Sequence, residues 1–170
     1  MFGNYLLKNF RVFLICVGIV LLFRIIPHPP NFTPVIALSL YLPFIFGLWS
    51  IPFCILGFAI TDYYIGFHSL LFWTWGALAF TGYTSKFCNK MYSRIILSFI
   101  GAITFFVITN FGVWISGTLY EISVQGLLNC YIMAIPFFTN TLLGTMFFAV
   151  IFELFILSKL YFLIPNFKKK

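Results

Sequence analysis

Charge is what this 170-residue sequence has least of. Only 8% of its side chains are charged, and just 3 are acidic: Asp62, Glu121 and Glu153. Soluble domains carry about a quarter charged residues, so a water-exposed surface is excluded. Histidine is nearly missing as well. His28 and His68 stand on separate loops without metal-ligand spacing, which leaves no resident metal to expect. The 4 cysteines, Cys16, Cys54, Cys88 and Cys130, show no redox or zinc spacing and read as free thiols that fill space. No Walker loop is present, so the chain carries no nucleotide site of its own, and nothing implies a cofactor. No serine or cysteine lies in a nucleophile motif, and an enzyme is not expected.

What the sequence does have is apolar mass. Hydrophobic residues make up 62% of it and aromatics 22%. Crossing about 30 Å of hydrocarbon takes about 20 mostly apolar residues. The chain therefore has room for one intramembrane domain and for nothing beside it. Hydropathy predicts an all-α integral membrane protein with six transmembrane helices in one bundle, spanning about residues 9–26, 34–50, 52–67, 70–85, 95–117 and 137–160. Residues 9–26 resemble a signal peptide but lack a small-x-small cleavage site, and are read as a retained span. Taken as one helix, residues 124–160 would run to roughly 55 Å at 1.5 Å per residue, and Pro136 falls inside them. A short surface or re-entrant helix over 122–135 is predicted before the last span.

The net charge of +7 is spread in a telling way. Lys8 and Arg11, then Lys86, Lys90 and Arg94, then Lys159 and Lys168 to Lys170 flank apolar runs and form no basic face. Nucleic acid is excluded as a partner, and lipid is implied. The positive-inside rule places both termini in the cytoplasm of a bacterial cell, with the chain multi-pass in its cytoplasmic (inner) membrane. Arg24 alone falls at an outer end, before the stiff loop PHPPNFTP.

On that topology the polar side chains gather in the outer half. Arg24, His28 and Asn31 belong to the first outer loop or its edge, Asp62 and His68 to the second. Asn110 and Trp114 share one helix face, four residues apart, and Tyr131 and Asn140 follow. Such groups are costly at membrane depth and face a bundle interior or a watery cavity. These nine residues are the candidate ligand contacts of an outward-facing aromatic and polar cup, lidded by loop 27–33. Pro136, Asn140 and Gly144 make a further stripe where backbone can approach closely. Glu153 lies near the inner end, to pair with Lys159 or with a cytoplasmic partner.

The stretches HPPNFTPVIAL, TDYYIGFHS, FFVITNFGVW and GLLNCYIMAIPFFTNTLLG resemble a family of small uncharacterised bacterial membrane proteins. That family is similar to the S-components of energy-coupling-factor transporters, the substrate-binding subunits of vitamin importers. The resemblance implies a six-helix bundle that binds a small molecule from outside, under the loop between its first two spans. It also implies an energising transporter module as partner. The alanine-x-x-x-alanine pair by which S-components commonly dock on that module is absent from the first span. The expected function is a substrate-binding membrane component of a small-molecule importer, with a scaffold subunit of a cell-envelope complex as the alternative. The substrate, the energy source and the oligomeric state are not written in the residues.

Overall fold

The structure, a computed structural model, describes residues 14, 18–20, 22–23, 26–66 and 69–158, with Ile65 described by its backbone only. Arg24, His68, most of the predicted first span and the terminal lysines lie outside the described residues. Among the described residues all regular structure is helical. Five helices follow in order: α1 (Val35–Phe46), α2 (Ile51–Ile65), α3 (Leu71–Thr84), α4 (Met91–Ile115) and α5 (Val124–Leu157). Single 3₁₀ turns, Leu48–Ser50 and Ser85–Phe87, join α1 to α2 and α3 to α4.

The first four helices fall where hydropathy places the second to fifth apolar stretches. A tight turn joins α1 to α2. Ser50 Oγ donates to the Gly47 carbonyl at 2.9 Å, and Pro52 sits in the first turn of α2, where its missing N–H costs nothing. Among the described residues two helices, α4 and α5, are long and apolar enough to cross a membrane. The other three have 12, 15 and 14 residues, which at 1.5 Å per residue is roughly 18–23 Å, short of a full hydrocarbon thickness.

One expectation is overturned. No break separates a surface helix over 122–135 from a final span, because α5 runs unbroken for 34 residues with Pro136 inside it. Proline removes one backbone donor and crowds the preceding turn. Ending the helix there would leave several more N–H and C=O groups without partners, a larger penalty in apolar surroundings. The helix starts instead at Ser123, whose Oγ accepts from the Gly126 N–H at 3.0 Å.

The bundle is apolar outside, and its interior mixes apolar side chains with many polar ones. Only 22% of the most hydropathic window of α4 and 33% of that of α5 are buried. The buried face of α4 is Arg94, Ser98, Gly101, Ala102 and Gly112, while Ile96, Phe99, Ile103 and Val107 face outward. On α5, Thr141, Thr145, Ala149 and Glu153 point in while Leu143, Phe147, Val150 and Leu154 point out. Water would favour the reverse. The interior hydroxyls are satisfied locally: Ser98 Oγ donates to the Arg94 carbonyl at 2.9 Å, Thr141 Oγ1 to Phe137 at 2.9 Å and Thr145 Oγ1 to Thr141 at 2.7 Å.

In this bundle α4 packs along both α5 and α3, α1 lies against α3, α4 and α5, and α2 rests on α3. The loop before α1 is held by its own chemistry. Asn31 adopts φ 65°, a left-handed conformation that asparagine tolerates, and the Phe32 N–H donates to the Pro29 carbonyl at 3.0 Å. Its Phe32 ring then meets Phe147 and Phe148 at centroid distances of 5.7 and 6.0 Å. Gly144 permits this approach, since a Cβ there would lie 3.0 Å from Phe32 Cα and from the Thr33 amide nitrogen.

Candidate functional site

Two polar regions stand at opposite ends of the α4–α5 pair. The first is a cleft of about 120 Å³ between the end of α4 and the start of α5, walled by Asn110, Tyr120, Cys130, Met133 and Phe137 among others. The loop between the helices is pulled across by Trp114, whose Nε1 donates to the Glu121 carbonyl at 3.0 Å and to that of Ser123 at 3.2 Å. Tyr131 fastens α5 to α4 by donating its hydroxyl to the Val107 carbonyl at 2.8 Å. Asn110 donates Nδ2 to the Phe106 carbonyl at 2.8 Å, and its own backbone carbonyl accepts from Cys130 Sγ at 3.4 Å. Phe106 stacks with Tyr131 and Phe138 at 5.5 and 4.6 Å, which makes the wall below the cleft aromatic.

The other candidate residues are not gathered at this cleft. Asp62 is fully buried on α2 and accepts from Trp75 Nε1 on α3 at 2.9 Å, so it links two helices instead of standing in a loop. His28 holds its own loop through Nδ1, 2.7 Å from the Ile26 carbonyl, and Asn31 is exposed at the turn. Asn140 is half-buried on α5. Gly144, where loop 27–33 docks, is seven residues beyond the Phe137 wall, roughly 10 Å along the helix. The loop therefore seats against the middle of α5 and does not close over the cleft. Asn110 lines the cleft, whereas Trp114 and Tyr131 bind backbone carbonyls of the same helix pair and its loop.

The second region was not foreseen. Glu153, 1% exposed, meets Arg94 in a two-pronged ion pair, with Nε to Oε1 and Nη2 to Oε2 both at 2.6 Å. Tyr41 of α1 adds its hydroxyl to Oε1 at 2.6 Å. The guanidinium lies 4.7 Å above the Phe44 ring. Charge-assisted, doubly donated contacts of this kind are the strong class of hydrogen bond, and they are what lets a carboxylate stay in an apolar interior. Glu153 thus pairs with α1 and α4, while Lys159, its expected partner, lies outside the described residues. Beside this cluster Cys88 is 4% exposed in the turn before α4, and burial pushes its thiol up to about 11. It stays a thiol at neutral pH and reacts slowly.

A signal for this cluster is present in the sequence. Arg94, Ser98 and Ala102 recur every four residues, as do Thr141, Thr145, Ala149 and Glu153. Two small-and-polar stripes of that period mark the faces that helices turn toward each other. Among the described residues no group of His, Cys, Asp and Glu is arranged to hold a metal ion.

Residues 4–168 match the profile of a family described as a family of unknown function, DUF6580. No curated protein and no solved structure matches the chain.

Proposed function

The chain belongs to DUF6580, and we propose that it is the substrate-binding membrane component of a small-molecule importer, with six spans and both termini in the cytoplasm of a bacterium. The motifs resemble a family of small membrane proteins similar in size and layout to the S-components of vitamin transporters, which supports this reading, as do the polar groups buried in the bundle. The observation that carries it is the cleft between α4 and α5, where an amide, a phenol, a thiol and an aromatic side chain line one concave space. Such a mixture suits a small, partly flat molecule with few polar groups. Its volume of about 120 Å³ is below the ~300 Å³ typical of ligand sites, so binding requires α4 and α5 to part at this end. Arg24, at the edge of the first loop, is the proposed charged contact. Energy would come from a partner module or an ion gradient, since the sequence has no nucleotide motif.

A second reading, a scaffold subunit of an envelope complex, is favoured by one observation. Asn110 donates its amide to the Phe106 carbonyl of its own helix, and its backbone carbonyl meets the Cys130 thiol of α5, so the two helices are joined at this point with no ligand present. Native mass spectrometry of protein gently extracted from its host separates the two. Import predicts a small molecule retained one-to-one, lost in Asn110→Leu while the unfolding temperature hardly moves. Lipid alone together with a second subunit, and an Asn110→Leu protein that melts early with no ligand bound, would move the assignment to the scaffold.

A further inference from the structure

The ion pair at the far end of α4 and α5 takes no part in the cleft. Arg94 is sixteen residues from Asn110, roughly 24 Å along the helix. Three helices meet on one carboxylate there: Oε1 accepts from Tyr41 and from Arg94 Nε, and Oε2 from Arg94 Nη2, each at 2.6 Å. Well-packed apolar side chains would hold three helices at least as firmly. What the charges add is an all-or-none character. The contact is complete, or it leaves a buried charge uncompensated, so half-open arrangements are disfavoured.

We infer that Arg94, Glu153 and Tyr41 form a latch that keeps the inner end of the bundle shut, and that its release opens the bundle at the Ser85–Phe87 turn. The inference rests on the import reading, in which the bundle must open inward to pass its ligand. The same two helices wall the cleft at one end and carry the latch at the other, so rocking one against the other parts one end at a time. Loop 27–33, seated at Gly144 between the two ends, is placed as the fulcrum.

Two native thiols report on the two ends: Cys88, 4% exposed beside the latch, and Cys130, 1% exposed in the cleft wall. In native membranes, with Cys16, Cys54 and Cys130 changed to serine, N-ethylmaleimide should label Cys88 slowly. Glu153→Gln should raise that rate by roughly tenfold or more, and Tyr41→Phe by a smaller factor, in protein that still inserts and elutes as a single species. With Cys130 as the sole cysteine, the same substitutions should leave labelling unchanged or slower. The latch is refuted if parent Cys88 reacts as fast as after denaturation in detergent, or if both variants label at the parent rate. It is also refuted if both thiols become reactive together, which marks general loosening around a static pin. Where Glu153→Gln does not accumulate, Tyr41→Phe decides, since it removes one hydrogen bond and no charge. Retention of a small molecule plays no part in this readout, so failure of the import reading registers separately.

Discussion

Arg94→Leu should lower the stability of the folded protein by about 3–5 kcal/mol, measured by thermal or denaturant unfolding in mild detergent or bilayer. The substitution leaves the Glu153 carboxylate buried with Tyr41 as its single remaining donor partner within the cluster. A carboxylate in that position must be neutralised or dragged toward water, and either course pulls on α5. The partner experiment gives this prediction its force. Adding Glu153→Leu removes the stranded charge, and the double variant should recover more than half of the loss. A single variant as stable as the parent would mean that the pair contributes nothing. A double variant no better than the single would mean that packing volume, not charge, is what Arg94 supplies.

The second large effect concerns the seat of the first loop. Gly144→Leu should cost at least about 1–3 kcal/mol, because the new side chain must enter space held by backbone. The nearest atoms are Phe32 Cα and the Thr33 amide nitrogen, neither of which can swing aside as a side-chain tip would. The loop has to lift, and lifting it withdraws Phe32 from Phe147 and Phe148. A cysteine placed at Thr33, which is half-buried in the parent, should then label several times faster. An unchanged melting temperature with Thr33→Cys still protected would show that the loop does not depend on Gly144. The alanine variant is the finer test, since its one added carbon sits at the limit of what a small backbone shift can absorb.

Much of the architecture is legible because apolar runs and turn chemistry agree. Pro34, Pro52 and the basic loop at Lys86–Lys90 each stand beside a helix start, and α1 to α4 fall between them. Pro136 misleads for a physical reason. The penalty of one missing donor is judged against an intact helix, when the alternative in lipid is a helix with two more unsatisfied ends. Hydropathy places the start of the fifth predicted span at about residue 95, just beyond Arg94, whereas the helix begins at Met91 and its first turn carries Arg94. Its partner is fifty-nine positions away, a distance that no local pattern bridges. Asp62 was visible as an outer-half carboxylate, but its bond to Trp75 requires α2 and α3 to fold back on one another. Asn110 and Trp114 are legible as a pair because four-residue spacing on one helix puts them on one face.

The unequal lengths of the helices reach past the protein into its surroundings. On the proposed six-span topology, α1 to α3, with 12 to 15 residues, would ask for an unusually thin hydrocarbon layer, while α5, at 34 residues or roughly 51 Å, would exceed a bilayer unless it tilted or projected. Each ångström of misfit costs a fraction of a kcal/mol, shared between lipid and protein. A bundle inserted in that way would grade the membrane around it, and it would settle most easily where the bilayer already changes thickness, such as at the edge of another protein.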